Sequence, residues 1–321
     1  MIGEIAALIA AALWSLHVIF ARKAHNKNIL RANPIDPMVG LFITLFVNTL
    51  IGFSVLTLRN IFWPPSPAPI MGIIAIATVG VSNSFVGRGM LFVCVGILGA
   101  ARTGLTRATM PVFVLLGGVL VLGERFSPQA WLGIGIVLFS LFLMSLDTVR
   151  REGRLQGGGI PPDAAQTKAE QLRLMKGIAI GLGGALIMGS GSILRKAGID
   201  ILSDTILAVF IDAFSALCAC LTVLLIRGKA RDIVQAVRNI DFHYMMSGVF
   251  ASAGLYLMIF SLSLIPVAIT NSITATEPLF TIFFVWLMKE GKKEKLGLQT
   301  LLFAVIMVTG TVILMTSGAA G

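Results

Sequence analysis

Several ionisable side chains in this chain stand inside apolar runs, where a charge is costly and therefore a candidate for function. Glu277 is the first of them. It lies about 11 residues, or roughly 16 Å, from the end of its run near Met288. Pro278 follows it and weakens the local helix hydrogen bonding, and Asn271, Thr274 and Thr276 sit on nearby turns. A carboxylate there could couple to protons or hold a cationic amine; a fixed ion pair with an arginine is the structural alternative. Asp212 lies about nine residues into its own run, with the same two readings open. Arg88 and Arg107 could line a vestibule and take carboxylates or phosphates bidentately, whereas Arg102 sits where a long side chain can snorkel to the interface. His17 could relay protons or simply pack as a polar residue near Trp14. Asn48 and Tyr256 could face a central cavity, although an amide at mid-span also bonds readily to a neighbouring helix.

These residues need helices to hold them in a bilayer. The chain has 321 residues, of which 56% are hydrophobic and 12% charged, with a mean hydropathy of +0.92. A soluble domain carries about twice that charged fraction, and so little polar surface cannot cover a globule in water. A soluble enzyme, a nucleic-acid-binding domain and a disordered chain are excluded. The net charge of +10 belongs instead to loops that set membrane orientation. Cys94, Cys218 and Cys220 lie in apolar runs without metal or disulfide spacing, Gly87-Arg88-Gly89 lacks the context of a phosphate loop, and no cofactor or metal is expected.

A helix crosses the hydrocarbon core with about 20 apolar residues. By that rule the chain holds ten spans, at 2–21, 38–58, 70–93, 99–122, 129–147, 176–195, 205–226, 242–262, 266–288 and 297–316. Tight hairpin turns are expected around Cys94 to Gly99 and Ser263 to Pro266. A hydrophilic stretch at 148–175, with its glycine run and Pro161-Pro162, reads as a flexible connector. It divides the chain into five-helix units at 1–147 and 176–316, followed by a short tail at 317–321. The two units repeat: Arg22-Lys23-Ala24 matches Arg195-Lys196-Ala197, and Asp36, Phe42 and Phe46 match Asp204, Phe210 and Phe214. Ala108-Thr109-Met110-Pro111 likewise matches Ala275-Thr276-Glu277-Pro278, and each copy then runs to an acid, Glu124 or Glu290. An odd number of spans per unit forces opposite insertion. The expected fold is all-α, ten transmembrane helices arranged as two inverted five-helix repeats, a transporter pattern rather than an enzyme pattern.

With the repeated proline, the acid that follows it and a glycine in the next span (Glu124 then Gly133, Glu290 then Gly297), the chain resembles the EamA branch of the drug/metabolite transporter superfamily. The resemblance covers nearly the whole chain. It implies secondary transport of a small metabolite, often export of an amino acid or related compound, through a cavity between the halves. Arg88, Arg102 and Arg107 lie outside that family pattern and keep an exchanger of organic anions such as sugar phosphates in view; a channel and a non-transporting scaffold are further alternatives. The expected partners are a small-molecule substrate, membrane lipid and protons as a candidate coupling ion, in a bacterial or archaeal cytoplasmic membrane. Most loop Lys and Arg fall on one face, which the positive-inside rule makes cytoplasmic with both termini outside; Arg59, Arg125, Arg195 and Lys196 are the loop cations of the other. The resemblance implies termini in the cytoplasm.

Overall fold

The computed structural model describes the chain except for residues 30–35, 64–67, 99–102, 104–105, 157–163, 289–297 and 317–321. Arg102, Glu290, Gly297, the glycine run of the connector and the short tail lie outside the described residues. The described chain is helical: α1 (Ile2–Ile29), α2 (Pro37–Phe62), α3 (Ile70–Val79), a π-helical segment (Gly80–Gly87), α4 (Arg88–Leu98), α5 (Met110–Leu120), α6 (Pro128–Gln156), α7 (Ala164–Leu202), α8 (Thr205–Ile226), a short α9 (Ala230–Arg238), α10 (Phe242–Leu264), α11 (Val267–Thr274), α12 (Glu277–Leu287) and α13 (Leu298–Thr316). Six stretches are long and apolar enough to cross a membrane unaided, and Met110–Leu120, Pro128–Leu143 and Leu302–Thr316 are shorter apolar helices. With α11 and α12 in series as the ninth span, these make the ten expected.

The bounds differ from the apolar runs at three places. Helix α4 continues through Cys94 to Leu98. Helices α6 and α7 enter the hydrophilic stretch from both sides, to Gln156 and from Ala164. Helix α7 also runs past Arg195 and Lys196 to Leu202, and Arg59 lies in the last turn of α2, so of the four cations counted on that face only Arg125 stands in a loop and Arg195 lies deepest in the protein. It is only 3% exposed, and the orientation count on that face loses it.

The repeat is expressed in local chemistry. Asp36 and Asp204, matched in sequence, both cap helices: Asp36 accepts from the Met38 N–H at 2.9 Å and Asp204 from the Leu207 N–H at 3.0 Å. Each satisfies an N–H that the first turn leaves without a partner. Phe42 stacks on Phe46 with centroids 6.1 Å apart, and Phe210 on Phe214 at 5.6 Å. Both proline motifs interrupt their spans, with turns at Ala108-Thr109 and Ala275-Thr276. Proline cannot donate to the carbonyl four residues earlier, which is Arg107 in one copy and Thr274 in the other.

Packing follows the same two-fold relation. Helix α1 packs on α10, as α7 does on α3, the π segment and α4; α1 meets α11 and α12, as α7 meets α5. Helix α2 pairs with its own counterpart α8, and α6 with α13. This is the contact pattern of two inverted repeats. The halves are tied near one face by Arg59 to Asp204 and by Glu124, which accepts from the Val267 N–H at 2.5 Å and the Ala268 N–H at 3.3 Å at the start of α11. Burial pushes the Glu124 carboxyl up, against those two backbone bonds. At the other face Lys27 meets Asp241 at 2.7 Å.

The π segment approaches α8 backbone to backbone. A methyl group on Gly80 would overlap Ser215 Oγ and the Asp212 carbonyl, and a helix carbonyl cannot turn aside as a side chain can. Gly80→Ala is expected to lose about 1–3 kcal/mol of stability, read as a lowered melting temperature in detergent. Gly135→Ala, where the added atom meets nothing, should leave that temperature within error of wild type.

Candidate substrate site between the two broken spans

The charged groups that the apolar runs contain converge on two ion pairs. In the first, Arg195 on α7 bonds to Asp212 on α8 through Nη2 at 2.6 Å and Nε at 3.0 Å, both to Oδ2. Ser84 in the π segment donates to the other carboxylate oxygen at 2.6 Å. Asp212 is fully enclosed. The pair forms because α7 and α8 are a hairpin turning at Ser203, which adopts φ 54°; residues almost equidistant from the turn come side by side. Asp212 thus sits in a closed, satisfied pair. Arg195 is not among the residues that depth in an apolar run singles out, because its run ends there. The signal available is an opposite charge at matching depth across a short turn.

The second pair joins the halves. Arg107, just before the break in the fourth span, bonds through Nη2 to Glu277 Oε2 at 2.8 Å, at the start of α12. Both groups owe their places to the repeated proline motif, which opens a turn in each span and lets the side chains meet. The pair is lopsided in access: the Arg107 side chain is 45% exposed and that of Glu277 11%. Thr281 donates to the Glu277 carbonyl at 3.1 Å and accepts from Ser15 on α1 at 3.0 Å, which fixes the turn beneath the carboxylate.

Arg88 is within electrostatic reach of both pairs, Asp212 with Arg195 and Arg107 with Glu277. Its Nη1 is enclosed without a hydrogen-bond partner among the described residues. His17 feels both Arg88 and Arg107, and its Nδ1 is held by Ser247 on α10, whose Oγ is 2.8 Å away and carbonyl 3.0 Å. Asn271 is spoken for: its Nδ2 donates to the Val267 carbonyl at 2.9 Å and its Oδ1 accepts from Ser192 at 3.4 Å. Asn48 Oδ1, Tyr256 Oη, Trp14 Nε1 and Ser252 Oγ are likewise buried without a hydrogen-bond partner among the described residues. Trp14 and Tyr256 border the same apolar cluster, together with Met110 at the break of the fourth span. Unbonded buried polar atoms are costly, and a solute with matching groups removes that cost.

Chemically, the apolar spans hold carboxylate, guanidinium, phenol, indole and amide groups, with no His, Cys, Asp or Glu cluster able to hold a metal among the described residues.

A model of the family described as "EamA-like transporter family" matches residues 1–146 and 175–316. Curated proteins yield no match to the sequence. Among solved structures, one titled "Crystal structure of protein" superposes with a TM-score of 0.70 at 14% identity, over 98% of this chain and 99% of that one. At that identity the likeness speaks for the fold.

Proposed function

Because this chain belongs to the EamA-like transporter family, we propose that it carries a zwitterionic metabolite, an amino acid or related compound, by alternating access around a midplane site. One observation carries the reading: Glu277 and Arg107 bond across the two broken spans while Arg107 stays half accessible. A desolvated ion pair opens at low cost only to something that offers each partner a replacement, since a stranded buried charge is heavily penalised. A zwitterion does so, with its amine on Glu277 and its carboxylate on Arg107. A bare amine offers the half-exposed arginine nothing but solvent in exchange, and a simple anion strands the buried glutamate. Arg88 Nη1, Tyr256 Oη and Asn48 Oδ1 are further groups for the solute to satisfy.

Proton coupling would run through the same carboxylate. Protonated Glu277 binds neither Arg107 nor an amine as an ion pair, so proton and solute compete. Competition of that kind makes an antiporter, and an inward proton gradient then drives export. A second reading rests on Arg88: with both pairs internally neutral, Arg88 is an excess cation, which suits an organic anion such as a sugar phosphate.

Thermal stabilisation of the purified protein distinguishes these, because a ligand that binds only the folded state raises the melting temperature. Zwitterions are expected to stabilise and to lose that effect in Glu277→Gln. Stabilisation by sugar phosphates alone, kept in Glu277→Gln and lost in Arg88→Gln, would replace the zwitterion with the anion. Flux through proteoliposomes that saturates and shows counterflow identifies a carrier; flux rising linearly with solute would mean a channel.

A further inference from the structure

Helix α9 has no counterpart among the described residues of the other half. By the inverted repeat it corresponds to the connection between the second and third spans, residues 63–69, which is shorter than the nine residues of α9 alone. The fold therefore does not require α9. Yet it is seated firmly, with Ile233 and Ala236 buried in the cluster that contains Val39, Phe42, Leu224 and Tyr244. It packs on both α2 and α8, one helix from each half.

Around its axis the residues fall into sectors, at about 100° per residue. Ile233 and Ala236 face the protein. Next come Val234 and Val237, apolar and yet exposed, Val234 by 66%. Beside them Arg231 and Arg238, seven positions apart, stack on one face, and Gln235 and Asp232 close the circle. The order is protein, apolar and exposed, cationic, polar. That is the sequence of environments met by a helix lying in the plane of a membrane interface, with its apolar edge in the acyl chains and its cations at the phosphates. The surroundings agree: Ile226 and Phe242, flanking α9, are 80% and 57% exposed, and Arg227 is exposed at the end of α8. Among the described residues, neither Arg231 nor Arg238 has an acidic partner, while Lys229 is occupied by Asp232 at 3.2 Å.

We propose that α9 is a binding site for anionic phospholipid, with the lipid phosphate held by Arg231 and Arg238 and the acyl chain against Val234 and Val237. Charge complementarity selects the anionic headgroup, and the exposed valines select a lipid over a free phosphate. Because α9 touches α2 and α8, a lipid bound there bears on both halves. This site is independent of the solute and of the Glu277–Arg107 pair.

The test titrates phosphatidylglycerol into the full-length protein in a neutral detergent containing phosphatidylcholine and follows the melting temperature. Wild type should gain stability with phosphatidylglycerol and none with inorganic phosphate at equal concentration. An arginine near anionic lipid contributes roughly fivefold in affinity. The Arg231→Gln/Arg238→Gln variant should therefore need about 25-fold more phosphatidylglycerol for the same shift, with its melting temperature in phosphatidylcholine unchanged. Arg231→Lys/Arg238→Lys should retain most of the response, and Arg125→Gln, which removes an exposed cation from the loop between α5 and α6, should retain all of it. An unchanged titration in the double glutamine variant overturns the proposal. So does an equal response to inorganic phosphate, or an equal loss in Arg125→Gln, which would mean general charge attraction.

Discussion

Arg195→Met is expected to cost the folded protein about 3–5 kcal/mol, the range for stranding one member of a buried ion pair. The removed guanidinium supplies two of the three hydrogen bonds to the Asp212 carboxylate, leaving the one from Ser84. Asp212 is fully buried on a helix packed against the π segment and α2, so neither water nor a rotamer change relieves it. Unfolding in denaturant, with the protein in detergent, reads the loss directly. The Arg195→Met/Asp212→Leu variant should recover most of it, because a well-packed apolar pair of similar volume costs little against a buried salt bridge. Transport by the double variant should then persist once activity is normalised to folded protein. Transport lost in the double variant at recovered stability would show that Asp212 acts on the solute as well.

How far the sequence anticipates such a pair depends on whether the information is local. Caps are local. Asp36 and Asp204 stand before apolar runs, and each needs only its own first turn to find an N–H. The Ala-Thr-x-Pro motif is local too, since proline breaks the same bond wherever it sits. Both the ten spans and the repeat therefore lie open in the sequence. Arg195 is hidden for a different reason: a charge ends an apolar run in a hydropathy count, while the helix continues wherever a partner compensates it. The π segment carries no signal at all. Gly80 and Gly87 mark its bounds, but other spans hold as many glycines and remain regular, and the close approach of Gly80 to the α8 backbone exists only once the helices are packed. Glu124 shows a mixed case. Its recurrence as an acid after the proline motif is visible, but not its partner, since the N–H groups it caps belong to the other half. The candidate site divides along the same line. Glu277, Arg107, Arg88 and Asp212 can be found by depth alone, whereas their sorting, with Arg195, into two pairs and one cation without an acidic partner among the described residues requires the halves to be assembled.

That sorting gives the pair Glu277–Arg107 a distinctive response to substitution. Glu277→Gln and Arg107→Gln should each weaken solute binding on the order of 10- to 100-fold, the worth of a hydrogen bond to a charged group at a desolvated site. Their effects on stability should differ. Arg107→Gln strands a carboxylate whose side chain is only 11% exposed, whereas Glu277→Gln leaves an arginine that is 45% exposed and can turn to solvent. The arginine variant should therefore melt lower than the glutamate variant. The exchanged variant, Arg107→Glu/Glu277→Arg, separates structure from recognition. A pair that serves only to hold the halves together works in either direction, and its exchange restores both stability and flux. A pair that binds a zwitterion has an orientation, because Arg88, within electrostatic reach of both partners, stays where it is while the carboxylate and the guanidinium trade places. Exchange is then expected to restore the melting temperature to within a few degrees of wild type while transport in proteoliposomes stays at the level of the single variants. Recovery of transport along with stability would reduce the pair to a strut between the two broken spans.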